Sequence, residues 1–190
     1  LFISRIDEAR APRALAVTLI FGMSMWLPLI DWVPMAVGMR TAWFALAFVQ
    51  TLFWCVWVVF TRWTQLWSWA RGPVLQALLY AVSWAGVDAA RSRWPWSGFP
   101  WGNLAYPQVA TPLGRLAPWG GEVLVSAVVV VCAVLLRRSF DFSREDQHWY
   151  SRPVCFASVC AIVIIPMVLP LHASQEEGSL TVAAIQGNIE

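Results

Sequence analysis

Asp88 and Arg91 stand three residues apart at the end of an apolar run, the spacing that puts two side chains on one helix face. The pair is either an interfacial ion pair or a device that orients the adjoining loop or a lipid phosphate, since ionisable groups at membrane depth are functional candidates. Glu122 opens another apolar run, where a carboxylate favours the helix N-terminus or lines a polar cleft. Cys55, Cys132, Cys155 and Cys160 all lie inside apolar runs with no C-x-x-C spacing, and read as inert core thiols. His148 and His172 flank one such run and cannot share a metal. The signatures G-x-S-x-G, Walker A, H-E-x-x-H and G-x-G-x-x-G do not occur. All thirteen basic residues are Arg, so no lysine serves as Schiff base, general base or phosphate-loop ligand. With no nucleophile beside a base, these 190 residues are expected neither to catalyse alone nor to hold a metal or cofactor.

The elements that position these residues are membrane spans. Apolar residues make up 59% and charged residues 13% of the chain, against about 25% charged in a soluble domain. Fourteen tryptophans suit membrane–water interfaces, where an apolar ring and a polar N–H are both satisfied. The low charge excludes disorder, four cysteines are too few for a disulfide scaffold, and a net charge of +2 does not point to nucleic acid. A span needs about 20 mostly apolar residues. Five stretches qualify, at 14–30, 41–61, 73–90, 120–136 and 154–171, the third with Pro73 in the first turn, where its missing N–H costs nothing. The expected fold class is an all-α transmembrane helical bundle.

The spans alternate sides, with nine arginines on one side and four on the other; the richer side is cytoplasmic. Loop 91–119 and the tail then face outward. That loop is crowded with Trp, Pro and Gly, and Pro95, Pro100, Pro107, Pro112 and Pro118 forbid a continuous helix. Irregular or re-entrant backbone is expected there, tolerable at membrane depth only under protein cover or beside water. Residues 172–179 read as a polar linker. Residues 180–185 read as a strand without neighbours, so a soluble domain is expected to begin at 180–190 and to continue past Glu190. The chain reads as a piece of something longer at both ends.

The loop and tail together resemble the bacterial apolipoprotein N-acyltransferases. Asp88-x-x-Arg91 resembles that family's acidic-x-x-Arg, Gly98-Phe99-Pro100-Trp101 its GFPW, and Tyr106-Pro107-Gln108 its Y-x-Q. Pro112-Leu113 with Leu116-Ala117-Pro118 is similar to its PL…LAP, and Val182–Ile189 to the first strand of its nitrilase-like domain. The resemblance implies an eight-helix domain of the bacterial plasma (inner) membrane, of which the five spans are the third to seventh. It also implies an α/β nitrilase-like domain on the outer face, truncated here at its first strand. The implied reaction moves an acyl chain from a phospholipid donor to the N-terminal diacylglyceryl-cysteine of a lipoprotein acceptor. It passes through a thioester on a Cys assisted by Glu and Lys, all beyond Glu190. Within the present residues, Asp88, Arg91, Phe99, Trp101, Tyr106 and Gln108 are then the lipid-access residues, with Trp101 and Tyr106 lining the acyl path and Arg91 near a phosphate. The alternative is a non-catalytic membrane scaffold for a polyprenol-phosphate mannose synthase, a partner found with actinobacterial relatives of this domain.

Overall fold

A computed structural model describes residues 2–3, 10–140, 151–168 and 182–183. Helices α1 (Ala11–Leu29), α2 (Val33–Val37), α3 (Arg40–Thr64), α4 (Pro73–Arg91), α5 (Ala117–Ser139) and α6 (Ser151–Val168) follow in order. Single 3-10 turns at Ser68–Arg71, Tyr106–Gln108 and Pro112–Leu116 shape the connections. Helices occupy the described residues of all five stretches expected as spans. Four segments are long and apolar enough to cross a membrane: α1, α3, Pro112–Ser139 (the last 3-10 turn with α5) and α6. The number by that measure is therefore four rather than five. The exception, α4, buries Gln76 and Arg91; it lies between α3 and α5, so protein rather than lipid meets its polar groups.

No strand occurs among the described residues. Of the strand expected at 180–185, only Val182 and Ala183 are described, in neither helix nor strand. The rest of that segment lies outside the described residues, as do linker 172–179, the end of the fifth expected span, His148 and His172.

The helices pack in single file, α1 on α3, α3 on α4, α4 on α5 and α5 on α6. Small residues permit the first contact. On α1, Ala14, Thr18, Gly22 and Trp26 recur every four residues and are all buried. Thr18 and Thr51 donate their hydroxyls to the carbonyls of Ala14 and Ala47, each at 2.8 Å, so neither enters the apolar core unpaired. A Cβ on Gly22 would lie 2.4 Å from Thr51 Cγ2. Gly22→Ala is therefore expected to cost about 1–3 kcal/mol by overpacking. Gly86, with nothing within 4 Å, should be neutral or stabilised as Ala. A lower detergent melting temperature for Gly22→Ala and none for Gly86→Ala is the expected result; equal falls would refute the close α1–α3 contact.

Aromatic rings fill the centre. Trp54 lies 5.9 Å from both Trp26 and Trp84, and Trp57 meets Trp84 edge-on at 5.1 Å. Two indoles also tie helices together: Trp43 Nε1 donates to Leu27 O at 3.0 Å and Trp57 Nε1 to Tyr80 O at 3.1 Å. The remaining tryptophans among the described residues gather at the ends. At one end of α3, Trp63 meets Trp67 edge-on and Trp67 stacks on Trp69, and Trp32, Trp94, Trp96, Trp101 and Trp119 are exposed at the other. From Trp43 to Trp63 along α3 is about 30 Å, the thickness of the hydrocarbon core. The chain is thus dressed for two interfaces.

Candidate functional site

Loop 92–116 has little regular structure, yet its first half is held firmly, because α4 ends in an unusual pair. An acid in the last turn of a helix opposes the helix dipole, while a base suits it; Asp88 keeps its place through partners. Its Oδ1 accepts from Arg91 Nε at 3.0 Å and Nη2 at 2.5 Å, and its Oδ2 accepts from Asn103 Nδ2 at 2.8 Å. Arg91 is only 2% exposed. Its Nη1 donates to Gln50 Oε1 on α3 at 3.2 Å and to the loop carbonyls of Phe99 at 2.6 Å and Trp101 at 2.7 Å. The guanidinium also lies 5.3 Å from the Trp26 ring centroid, a cation–π contact with α1. Asn103 completes the lattice: its Oδ1 accepts from Ala105 N at 2.9 Å and from Ser126 Oγ on α5. One buried arginine and one carboxylate therefore fasten the loop to four helices.

Arginine is the residue able to do this. Its planar fork carries five N–H donors and stays charged. Irregular backbone that leaves carbonyls unpaired in an apolar setting costs several kcal/mol per group, and Arg91 supplies the donors for two. Glycines allow the close approach. Gly98 has φ +78, and a Cβ there would meet Ser92 backbone atoms at 2.2 Å. At Gly102, with φ +71, an added Cβ would lie 2.7 Å from the Trp26 ring.

The structure thus brings together four of the six expected site residues: Asp88 and Arg91 by side chain, Phe99 and Trp101 by carbonyl. The Trp101 ring is turned outward, 54% exposed and 5.6 Å from Trp32. Tyr106 and Gln108 lie apart in the second half of the loop; Tyr106 is 48% exposed, and Gln108 Oε1 accepts from Thr111 Oγ1 at 3.0 Å. Glu122 lies exposed just after a break in α5 at Gly120 and Gly121. Gln50, Asn103, Ser126 and Trp26 were missed from sequence; of these, only Gln50, a polar residue inside an apolar span, carries a signal. The four cysteines are free and none of the described residues forms a cluster suited to a metal.

Fold and site define a multi-pass membrane protein with an irregular aromatic loop locked onto one end of its bundle. The apolipoprotein N-acyltransferase N-terminal domain matches residues 1–135, and the chain belongs to that family. Among curated relatives, the apolipoprotein N-acyltransferase of Pseudomonas putida is 35% identical over 136 residues, 65% of this chain and 25% of the relative. That of Azotobacter vinelandii is 32% identical over the same length and shares. The Vibrio cholerae enzyme is 32% identical over 110 residues, 56% of this chain and 20% of the relative. The chain spans about a quarter of the length of the first two of these relatives. No solved structure gives a significant match.

Proposed function

We propose that this chain is membrane-domain material of an apolipoprotein N-acyltransferase, and that it presents lipids to a catalytic nitrilase-like domain rather than reacting with them. The observation that carries the reading is the loop fastened by Arg91, which fixes a set of exposed aromatic side chains at one membrane interface. In this reading the phospholipid acyl donor and the diacylglyceryl-lipoprotein acceptor both meet the enzyme at headgroup depth, in the outer leaflet of the bacterial plasma membrane. Asp88, Arg91 and Phe99 hold the loop, while Trp101, Tyr106 and Gln108 border the lipid path. The arginine asymmetry supports an extracytoplasmic loop. Holding two reacting groups in place lowers a barrier by several kcal/mol, which is the contribution a non-reacting membrane domain can make.

The test is made in the full-length enzyme. Trp101→Ala and Tyr106→Ala, both on exposed side chains, are expected to reduce acyl transfer to a diacylglyceryl peptide roughly tenfold, about 1.4 kcal/mol, with unchanged melting temperature. Normal turnover in both variants would sink the lipid-path reading. Loss of melting temperature in step with activity would reduce both residues to loop anchors. Intact acyl transfer after deletion of the nitrilase-like domain would move the chemistry into the present chain.

A further inference from the structure

We propose that the flank of α3 beside the fastened loop is a seat for one acyl chain of a phospholipid, and that Arg91 sets its width. The inference rests on the lipid-presenting reading above. A groove of about 430 Å³ runs between Ala42, Ala45, Val49 and Gln50 on α3 and Trp96 and Phe99 on the loop. Its two walls are joined at one atom: Arg91 Nη1 donates to Gln50 Oε1 at 3.2 Å and to Phe99 O at 2.6 Å. Arg91 is thus a spacer, and the distance between α3 and the loop follows from the reach of one guanidinium.

The groove fits hydrocarbon. Ala42 and Ala45 keep it open, and the carbonyl oxygen of its one amide side chain, Gln50, is already taken up by Arg91. A peptide lying there would bring backbone N–H and C=O groups that this lining cannot pair, whereas an acyl chain brings none. From Ala42 to Gln50 is about 12 Å along the helix, close to the roughly 15 Å of half a hydrocarbon core. Trp43 marks headgroup depth at its upper end. Trp96, which lines the groove from the loop, is 92% exposed. Trp96 and Ser97 hold φ of +47 and +78, which side chains other than glycine avoid, and so the loop presents Trp96 at a conformational cost. The same α3 stripe continues through Phe53, Val56 and Phe60 into a second apolar groove against α4, with Phe53 edge-on to Trp94 at 6.2 Å between the two.

The chain is placed in nanodiscs of phosphatidylethanolamine and phosphatidylglycerol containing a phosphatidylethanolamine with a diazirine midway along one acyl chain. After irradiation, adducts are mapped by mass spectrometry. Helix α6, most of whose apolar surface is not covered by protein, reports ordinary surrounding lipid. Adducts at 42–50 and 95–99 are expected to exceed those on α6 about tenfold. Ala45→Trp, which fills the groove without touching the Arg91 contacts, should bring groove labelling down to the α6 level. Ala42→Phe is the second variant, and unchanged α6 labelling and helical circular dichroism show that either is folded. Equal labelling of groove and α6 in the unaltered chain, or groove labelling unaffected by both substitutions, overturns the seat. Acyl transfer does not enter this measurement, so such a result leaves the lipid-path reading to its own test at Trp101 and Tyr106.

Discussion

Arg91→Ala should unfasten the loop and cost about 3–5 kcal/mol, the range for removing one partner of a buried charge pair. Three losses coincide: Asp88 keeps a carboxylate with only Asn103 beside it, Gln50 loses its donor, and the carbonyls of Phe99 and Trp101 are left bare in an apolar setting. Thermal melting in detergent is the measurement, and Arg93→Ala is the comparison. Arg93 is exposed, with its Nη1 on Ala89 O, and its loss should stay within about 0.5 kcal/mol. Arg91→Lys should recover less than half the difference, because a single ammonium cannot reach an α3 amide, a carboxylate and two carbonyls together. Arg91→Ala and Arg93→Ala melting at the same temperature would show that the contacts hold nothing.

Gly98→Ala should be nearly as damaging for a different reason. The left-handed φ of +78 alone costs a residue with a Cβ about 1–2 kcal/mol. The new Cβ would also sit 2.2 Å from Ser92 C and 2.3 Å from Arg93 N, backbone atoms that cannot rotate away. The 94–99 segment must then swing out, breaking the bond from Phe99 N to Arg91 O, 3.0 Å in the unaltered chain. Hydrogen exchange at the Phe99 amide is the direct readout, expected to change from protected to rapid. Gly38→Ala is the control: φ is +74 there too, but nothing lies within 4 Å, so only the conformational cost remains. An amide at Phe99 that stays protected in Gly98→Ala would mean the loop accommodates a side chain.

The sequence disclosed which segments are helices because a span's length and apolarity are local properties. Pro73 opens α4 in its first turn as expected, and the prolines of loop 91–119 confine it to two short 3-10 turns before α5. The Asp88–Arg91 pair was legible for the same reason, being three residues apart on one helix. Its partners were not. Gln50 and Asn103 reach it from other elements, and Ser126 reaches Asn103 in turn, across separations of 15 to 41 residues; periodicity names a residue's face without naming what that face meets. Ser126 in particular reads no differently from Ser24 or Ser158, which donate only to their own helices. The burial of Arg91 followed from the same blindness: an arginine at a span's end reads as facing headgroups until the folded loop is seen to cover it.

The single-file arrangement of helices has a consequence for how disturbances spread. In such an array each helix feels chiefly its two neighbours, so damage at α1 should fade before it reaches α6. The fastened loop breaks that rule at one end of the bundle. Through Asn103 and Asp88 it links Ser126 on α5 to Arg91 on α4, and through Arg91 to Gln50 on α3 and Trp26 on α1. It is a crosspiece over an otherwise linear file. Energetic coupling between non-adjacent helices should therefore be concentrated at the loop end of the membrane, with the opposite end behaving as a series of separable pairs.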